Sequence, residues 1–173
     1  CTRQAHSMIT KIKTGVDKEG RVVARDITCH MDGGAYSSTG PIAVSVPFLC
    51  IEQAYRMDNV RDNGYRILTN KPIRGMFRTH GRAFACGVDV QLDMIGEAMG
   101  IDPLTMRLRN ARQTGDTTPT KSYVASCGLT ETIEKTGKMS RWTEKFGKLP
   151  PYHGIGIGCN SVQTGFPMGI RGG

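Results

Sequence analysis

The side chains best suited to chemistry lie close together between residues 73 and 82. This segment carries Arg78, His80 and Arg82, with Gly81 between them, directly before the first long helical pattern. A histidine on such a loop can line a substrate pocket or exchange protons near neutral pH. Nothing else in the sequence marks a partner for His80, so a surface or structurally hydrogen-bonded histidine is the alternative.

Three acidic residues and a glycine repeat form two further patterns. Asp89, Asp93 and Glu97 recur every four residues, which puts them on one helix face where they could bind a divalent cation. Solvation or pairing with arginine is the alternative for this face. The Gly-Ile-Gly-Ile-Gly sequence at residues 154–158 lacks the spacing of a dinucleotide fingerprint, and no Gly-Lys-Ser/Thr follows it. A phosphate site is therefore not predicted there.

The composition is that of a folded domain. Of its 173 residues, 38% are hydrophobic and 22% charged, which argues against a disordered chain and a collagen-like fibre. The longest apolar run, at residues 42–51, is interrupted by Ser45 and Pro47, so we expect no membrane span. The chain starts without methionine and stops in a glycine-rich stretch. We expect it to be an internal piece of a longer protein.

The six cysteines are scattered along the chain. There is no Cys-x-x-Cys pair and no histidine at zinc-finger spacing, so the sequence encodes neither a zinc site nor a local iron–sulfur loop. Single cysteines without a secretory leader are typical of buried thiols in a reducing compartment. We therefore expect a cytoplasmic protein.

The net charge of +8 is unevenly distributed. Residues 41–82 carry seven basic residues against three acidic ones, whereas residues 83–120 carry three basic and five acidic residues. The basic surplus could meet an anionic ligand or an acidic partner. A solvated basic face, or a set of structural salt bridges, explains it equally well.

The first half of the chain predicts strands. Alternation at residues 8–13, turn residues at 17–20 and β-branched residues over 21–31 predict an antiparallel hairpin. Gly33 and Gly34 then permit a bend or a close backbone approach. Residues 65–70 predict another strand, which Pro72 ends. Residues 41–50 fit either a short buried helix or a strand.

The second half predicts helices. A helix begins near residue 83 and ends at Gly100, because it carries a regular apolar stripe: Val88, Leu92, Ile95 and Met99. Asp102 and Pro103 are typical of the N-cap and first position of a second helix. Shorter helices follow at residues 129–136 and 141–146, after a polar loop at residues 113–128. Alternating glycine then predicts a strand over residues 154–158.

Together these elements predict an α+β fold, with mixed strands and several helices. Residues 1–72 form a strand-rich part, residues 73–82 a loop, residues 83–149 a helical part, and residues 150–173 the start of a further strand segment. Neither an internal repeat nor a low-complexity tract occurs.

Five motifs occur in the order and at the approximate spacing of one family, at residues 32–36, 69–72, 76–81, 92–93 and 100–110. They resemble the molybdenum-binding large subunit of the xanthine dehydrogenase and aldehyde oxidoreductase family. The resemblance implies that the chain is part of the molybdopterin-binding domain of such a subunit. Residues 127–131, 147–150 and 154–157, together with His80, are most similar to the large subunit of the 4-hydroxybenzoyl-CoA reductases, while aldehyde, purine and nicotinate hydroxylases remain open.

The resemblance also implies the cofactors. A molybdenum ion would be held by the dithiolene of a pterin, as molybdopterin cytosine dinucleotide. The usual reaction is hydroxylation of an electron-poor carbon, whereas the 4-hydroxybenzoyl-CoA enzymes remove a ring hydroxyl reductively. Electrons would pass through 2Fe-2S clusters and FAD on partner subunits. The implied assembly is therefore a hetero-oligomer of the molybdenum, iron–sulfur and FAD subunits.

The loop at residues 73–82 carries the implied site. Arg78 matches the family arginine that contacts the cofactor, and Phe77, Thr79 and Gly81 belong to the same cofactor-binding loop. His80 falls where many members place an aromatic side chain against the substrate ring, so it is assigned to the pocket of a small aromatic substrate. The family's catalytic glutamate lies outside this chain, which therefore contains no catalytic residue and no metal ligand and should be inactive alone.

The sequence departs from the family pattern at three places. Thr79 replaces the usual glycine, and Arg82-Ala83-Phe84 replaces the usual Pro-Gln. The purine-binding arginine of the xanthine dehydrogenases would align near Val46, which argues against a purine substrate.

Two alternatives belong to other functional classes. One is a basic module that binds nucleic acid, but only 6% of residues are aromatic and no recognition motif is present. The other is a non-catalytic family relative used for assembly, which the departures at Thr79 and Phe84 would fit. We expect an oxidoreductase that binds no nucleic acid and has no membrane span.

Overall fold

The computed structural model describes residues 4–37, 40–41, 43–45, 54–75 and 82–160. Within them lie strands and helices in the order β1 (Met8–Val16), β2 (Val22–Gly34), β3 (Asn59–Leu68), α1 (Arg82–Met99), α2 (Pro103–Asn110), α3 (Leu129–Ser140) and α4 (Trp142–Lys145). The predicted α+β class, with mixed strands and several helices, is confirmed.

The strands form one sheet in the order β1, β2, β3. β1 and β2 pair antiparallel, with Met8 opposite Met31 and Thr14 opposite Arg25, so the predicted hairpin is confirmed. β3 runs parallel to β2. It begins at Asn59 and ends at Leu68, whereas the sequence predicted a strand over residues 65–70. Its polar first half contains no apolar run, and backbone pairing with β2 holds it in the sheet instead.

The core lies between one face of the sheet and α1. Ile27, a core-facing residue of β2, is 1% exposed, and Leu92 of α1 is fully buried. Burial of a Leu or Ile side chain stabilises the folded state by about 1.5–3 kcal/mol. The apolar stripe predicted for α1 is confirmed, because Val88 is also buried and Ile95 packs against the same cluster.

The ends of the first two helices follow the predicted signals. α1 ends before Gly100, whose φ of +68° is easily reached only by glycine. Asp102 caps α2, since its Oδ1 accepts hydrogen bonds from the backbone N–H groups of Leu104 and Thr105 at 3.0 and 3.2 Å. Pro103 occupies the first turn of α2, where its missing N–H leaves no hydrogen bond unmade.

A single amide joins α2 to the start of β2. Asn110 is 1% exposed, and its Oδ1 accepts from the backbone N–H of Val22 at 2.8 Å. Its Nδ2 donates to the carbonyls of Gly20 and Met106 at 2.9 Å each. The neutral side chain thereby satisfies three buried backbone groups and fixes the hairpin against the helical part.

Several boundaries differ from the prediction. α3 extends to Ser140, and α4 covers Trp142–Lys145. The ambiguous segment is helical at residues 40–41 and 43–45. Residues 153–160 contain neither helix nor strand, so the strand predicted at residues 154–158 is wrong for this chain. A strand needs a neighbour for its backbone groups, and alternating glycine alone supplies none. Residues 161–173 lie outside the described part.

The cysteines only partly match the prediction of buried thiols. Cys29 is buried, Cys86 is exposed, and Cys127 and Cys159 are intermediate. Cys86 lies on the outer side of α1, which the sequence did not distinguish from the inner side. Among the helices that the structure describes, none is long and apolar enough to cross a membrane.

Candidate functional site

The predicted site residues lie outside the described residues. Phe77, Arg78, Thr79, His80 and Gly81 all fall within residues 76–81, so their predicted roles stay predictions. Both flanks of this segment are described: the chain enters it through residues 69–75 and leaves it at the first residue of α1. The geometry described below is therefore that of the residues that flank this segment, which we call the frame.

Asp32 is the centre of that frame. It lies near the end of β2, and its Oδ1 accepts from the hydroxyl of Thr69 at 2.7 Å and from the N–H of Gly34 at 3.0 Å. Its Oδ2 accepts from Lys71 Nζ at 3.3 Å and from Arg74 Nη2 at 3.4 Å. We call these residues the Asp32 cluster. The cluster ties the end of β2 to the chain that enters residues 76–81.

The Asp32 cluster carries a fixed charge. Hydrogen bonds from the Thr69 hydroxyl and the Gly34 N–H, followed by the nearby Lys71 ammonium, hold the pKa of Asp32 well below its usual range. The carboxylate is therefore ionised at neutral pH and faces two cations. The frame has a net positive charge beside the segment that carries Arg78.

Backbone contacts reinforce the same frame. The N–H of Ala35 donates to the carbonyl of Lys71 at 3.0 Å, and the N–H of Thr69 donates to the carbonyl of Gly34 at 3.3 Å. Further along, the N–H of Gly75 donates to the carbonyl of Gln4 at 3.1 Å. Residues 73–75, the start of the predicted loop, are thus hydrogen-bonded to the N-terminal part of the described chain.

Gly33 and Gly34 allow the end of β2 to pack closely against Arg66 and Pro72. Gly34 has a φ of +63°, and a Cβ there would lie 2.3 Å from the carbonyl oxygen of Pro72. A Cβ on Gly33 would lie 2.6 Å from Nε of Arg66. The predicted close approach is confirmed, and its partners are the backbone of Pro72 and the guanidinium of Arg66.

Arg66 and Arg74 are half-buried arginines at the end of the sheet that carries Asp32. Arg66 donates to the carbonyls of Gly33 and Tyr36, and Arg74 Nη1 donates to Gln4 Oε1 and the carbonyl of Ala5. The Nε atoms of both arginines are buried without a hydrogen-bond partner in the part of the chain that the structure describes. The positive net charge of the Asp32 cluster fits an anionic group next to residues 76–81.

The other described arginines of the basic segment have structural partners. Arg56 forms a two-pronged contact with Asp116 at 2.7 and 2.6 Å, and Arg61 does the same with Asp26 at 3.1 and 2.5 Å. For these two residues the salt-bridge interpretation is confirmed. The side chain of Arg82 is not among those described.

The acidic face of α1 pairs with arginine. The fully buried side chain of Arg107 contacts Asp93 at 2.5 Å and Asp89 at 3.4 Å. Asp89 also accepts from the hydroxyl of Tyr55 at 2.5 Å and from the N–H of Cys159 at 2.7 Å. Among the described residues, no group of three or more possible metal ligands comes together. The arginine-pairing alternative is therefore correct for Asp89 and Asp93, whereas Glu97 is exposed.

Sequence reasoning missed the contacts that define the frame. Asp32, Thr69 and Lys71 were recognised as parts of motifs, but not as contacting residues, and Arg74 was seen only as part of the basic surplus. The available signal was the recurrence of Asp-Gly-Gly and Thr-Asn-Lys-Pro at the ends of two predicted strands. Parallel pairing of those strands would have brought both motifs to one edge of the sheet.

A family model described as "Molybdopterin cofactor-binding domain" matches residues 1–111. The chain is 35% identical to the nicotinate dehydrogenase large molybdopterin subunit of Eubacterium barkeri, over 75% of this chain and 31% of that subunit. It is 28% identical to a xanthine dehydrogenase molybdenum-binding subunit of Escherichia coli O157:H7, over 98% of this chain and 24% of that subunit. The chain thus spans only a fraction of the length of these relatives.

Solved structures give the same likeness. The aldehyde oxidoreductase from Desulfovibrio gigas superposes with a TM-score of 0.77 and 26% identity, over 81% of this chain and 16% of that one. Quinoline 2-oxidoreductase from Pseudomonas putida 86 superposes with a TM-score of 0.73 at 21% identity, over 82% of this chain and 19% of that one. The second likeness concerns the fold alone.

Proposed function

The chain belongs to the molybdopterin cofactor-binding domain family, and from this premise we propose that it forms part of the large subunit of a molybdenum-dependent oxidoreductase. The observation that carries the proposal is the Asp32 cluster, which fixes the approach to residues 76–81 and leaves it positively charged. The residues that flank a cofactor-facing loop must be fixed in position, because small displacements of binding groups weaken catalysis strongly.

Each loop residue has a proposed role. Arg78 would contact the cofactor, where a guanidinium beside developing negative charge stabilises it. Phe77, Thr79 and Gly81 would shape the loop around it, and His80 would line the substrate pocket. When bound, the molybdenum pterin supplies two-electron redox chemistry. Lys71 and Arg74 would orient the loop through Asp32 without touching the reacting atoms.

The proposed substrate is a small aromatic or heteroaromatic compound. Reductive dehydroxylation of 4-hydroxybenzoyl-CoA is the first candidate, supported by the motifs at residues 127–131 and 147–157. Hydroxylation of an N-heterocycle is the second, supported by 35% identity to a nicotinate dehydrogenase subunit. Aldehyde oxidation is a third, supported by the likeness to aldehyde oxidoreductase. A purine is not proposed, because Val46 stands near the position of the purine-binding arginine.

The proposed assembly is a cytoplasmic hetero-oligomer. The remainder of the molybdenum subunit, a 2Fe-2S subunit and an FAD subunit would accompany this chain, and the pterin would be the cytosine dinucleotide. Metal, flavin and nucleotide analysis of the purified native complex tests each component separately. A complex without iron or flavin would contradict the proposed electron path.

The loading of the cofactor is the first test. In the full-length subunit, Arg78→Ala should lower the molybdenum and pterin content several-fold, whereas Arg61→Ala should leave it unchanged. Arg61 is the matched control because its contact, with Asp26, lies on the solvent-exposed face of the sheet. Equal molybdenum and pterin contents in the two variants would show that Arg78 does not contact the cofactor. A wild-type protein without molybdenum would refute the proposed function.

The direction of the reaction is the second test. The loaded enzyme should either dehydroxylate 4-hydroxybenzoyl-CoA with a low-potential electron donor or hydroxylate nicotinate or an aldehyde with an electron acceptor. His80→Ala should raise KM for the true substrate more than it lowers kcat, because a pocket residue binds the ring without reacting. An unchanged KM would place His80 outside the substrate pocket.

A further inference from the structure

Tyr36 has a backbone conformation that is unusual for a tyrosine. It lies two residues after the end of β2, and its φ of +64° falls in the left-handed region. Bulky side chains rarely adopt that conformation, because Cβ then crowds the carbonyl oxygen that follows. Residues strained in this way persist only where the surrounding structure holds them, and they concentrate at functional sites.

Arg66 of β3 holds this conformation in place. Its Nη2 donates to the carbonyl of Gly33 at 3.2 Å and to the carbonyl of Tyr36. The guanidinium group also packs against two glycines, because a Cβ on Gly33 would lie 2.6 Å from its Nε and a Cβ on Gly40 would overlap the same atom. Arg66 therefore fixes the backbone at Tyr36, and with it the direction in which the tyrosine side chain leaves the chain.

A local turn does not account for this conformation, as it does for Tyr152. Tyr152 has a φ of +68° because it is the third residue of a turn, which the N–H of His153 closes on the carbonyl of Pro150 at 3.1 Å. The carbonyl of Gly34, which would close the corresponding turn at Tyr36, accepts from the N–H of Thr69 at 3.3 Å instead. The conformation of Tyr36 is thus imposed by residues that are distant in the sequence.

Tyr36 lies at the end of the sheet that carries the Asp32 cluster. The N–H of its neighbour Ala35 donates to the carbonyl of Lys71 at 3.0 Å, so Tyr36 is close to the chain that enters residues 76–81. Its side chain is 81% exposed, although a packed tyrosine ring would bury a large apolar area. A strained backbone at this edge therefore holds an aromatic ring that the described chain does not use for its own core.

We propose that Tyr36 contacts the aromatic ring of the substrate and that Arg66 is its positioning residue. The proposal rests on the proposed function and deepens it, because it adds a second substrate-binding residue to His80. Aromatic rings attract each other in offset-stacked and edge-to-face arrangements. A tyrosine on a fixed backbone loses little conformational freedom when it binds a ligand. The ligand that fits is a flat ring, such as a hydroxybenzoyl group or an N-heterocycle.

Equilibrium binding to the full-length, molybdenum-loaded subunit tests the proposal. The probes are 4-hydroxybenzoyl-CoA, nicotinate and benzaldehyde, titrated by calorimetry without an electron donor or acceptor. Tyr36→Ala should raise the Kd of the bound probe about tenfold, and Tyr36→Phe should keep it within about twofold, because the ring makes the contact. Tyr152→Ala is the matched control, since Tyr152 is also exposed at a positive φ, and should leave the Kd unchanged. A loaded wild-type subunit that binds none of the three probes would overturn the proposal.

Tyr36→Gly separates the loss of the ring from the backbone strain. Glycine reaches a φ of +64° without strain, so this variant should keep or raise the thermal midpoint of the full-length subunit. Its Kd for the probe should nevertheless rise about tenfold, as in Tyr36→Ala. A lower midpoint with an unchanged Kd would show that the ring packs against another part of the subunit, which would overturn the proposal.

A double-mutant cycle tests the positioning role of Arg66. Arg66→Lys keeps the charge but removes the planar group that packs against the glycines, so it should raise the Kd several-fold. In the Tyr36→Ala background it should have little further effect, because Arg66 acts through Tyr36. Equal effects in both backgrounds would refute that role. Molybdenum content is measured on the same samples: a wild-type subunit without molybdenum refutes the proposed function, whereas a loaded Tyr36→Ala subunit that binds as tightly as wild type refutes this proposal alone.

Discussion

The two ends of strand β2 are held by different chemistry. At its start, the neutral amide of Asn110, which is 1% exposed, binds the backbone of Val22 and Gly20. At its end, the carboxylate of Asp32 binds a hydroxyl, a backbone N–H and two cations, and 61% of the Lys71 side chain is exposed. The contact at the first end is buried and made by a neutral amide, whereas the contact at the second end is charged and partly exposed.

This difference matches the neighbours of each end. The Asn110 end joins two parts of the scaffold, and a fully satisfied buried amide fixes their geometry at any pH or salt concentration. The Asp32 end adjoins the proposed cofactor loop, and the cations of Lys71 and Arg74 lie beside it. The Asn110 contact therefore stabilises the fold alone, whereas the Asp32 contacts stabilise the fold and also position the proposed cofactor loop.

Glycine substitutions should give the largest difference in stability and cofactor content between the two ends of β2. Gly34→Ala places a Cβ 2.3 Å from the backbone of Pro72, so it should lower the free energy of unfolding by about 3 kcal/mol and reduce the molybdenum content. Gly20→Ala, at a φ of +82°, meets the flexible side chains of Ile101 at 2.8 Å and Met106 at 3.2 Å, and should cost about 1–2 kcal/mol with the cofactor retained. Urea titration and metal analysis measure both effects. Loss of cofactor in Gly20→Ala would show that the Asn110 end of β2 also positions the cofactor site.

Removal of the buried amide should be the next largest effect. Asn110→Ala leaves the N–H of Val22 and the carbonyl of Gly20 without partners, so we expect a loss of about 2 kcal/mol. The loss should be the same at low and high salt, because no charge is involved. Asn63→Ala, at an exposed position of β3, is the matched control and should change little. A loss of stability in Asn110→Ala that depends on salt would show that this end of β2 is not held by a neutral contact.

Replacement of the carboxylate should have a smaller, pH-dependent effect. The pKa of Asp32 is depressed in the folded protein, so its stabilising contribution is present above the unfolded value of about 4 and is lost as the pH falls through the folded value. The stability difference between wild type and Asp32→Asn should therefore be constant near neutral pH and shrink below about pH 4. Urea titrations at several pH values measure it. A difference that grows on acidification would show that Asp32 does not carry this charge.

Local patterns predicted much of the fold. The hairpin, the apolar stripe of α1, the Gly100 end of that helix and the Asp102 cap of α2 all match the structure. Each depends on residues that are neighbours in the sequence, because strand alternation, helix periodicity and caps are short-range. The resemblance located the family by the same route, through short motifs in series.

Other features depended on packing. The start of β3 at Asn59, and its parallel pairing with β2, left no periodic signal among polar residues. The strand predicted at residues 154–158 was wrong, since these residues pair with no strand of the described chain and the next residue, Cys159, donates its N–H to Asp89 instead. The partners of Arg107 likewise followed from how α1 and α2 pack.

The sequence by itself determined the hairpin, the helices after residue 82, the family resemblance and the segment 76–81 that is proposed to face the cofactor. Only the tertiary structure decided which distant residues meet: Asp32 with Thr69 across 37 positions, Asp89 with Cys159 across 70, and Val22 with Asn110 across 88. Local conformational preferences act over a few residues, whereas these contacts form only when whole faces of the sheet and helices pack together.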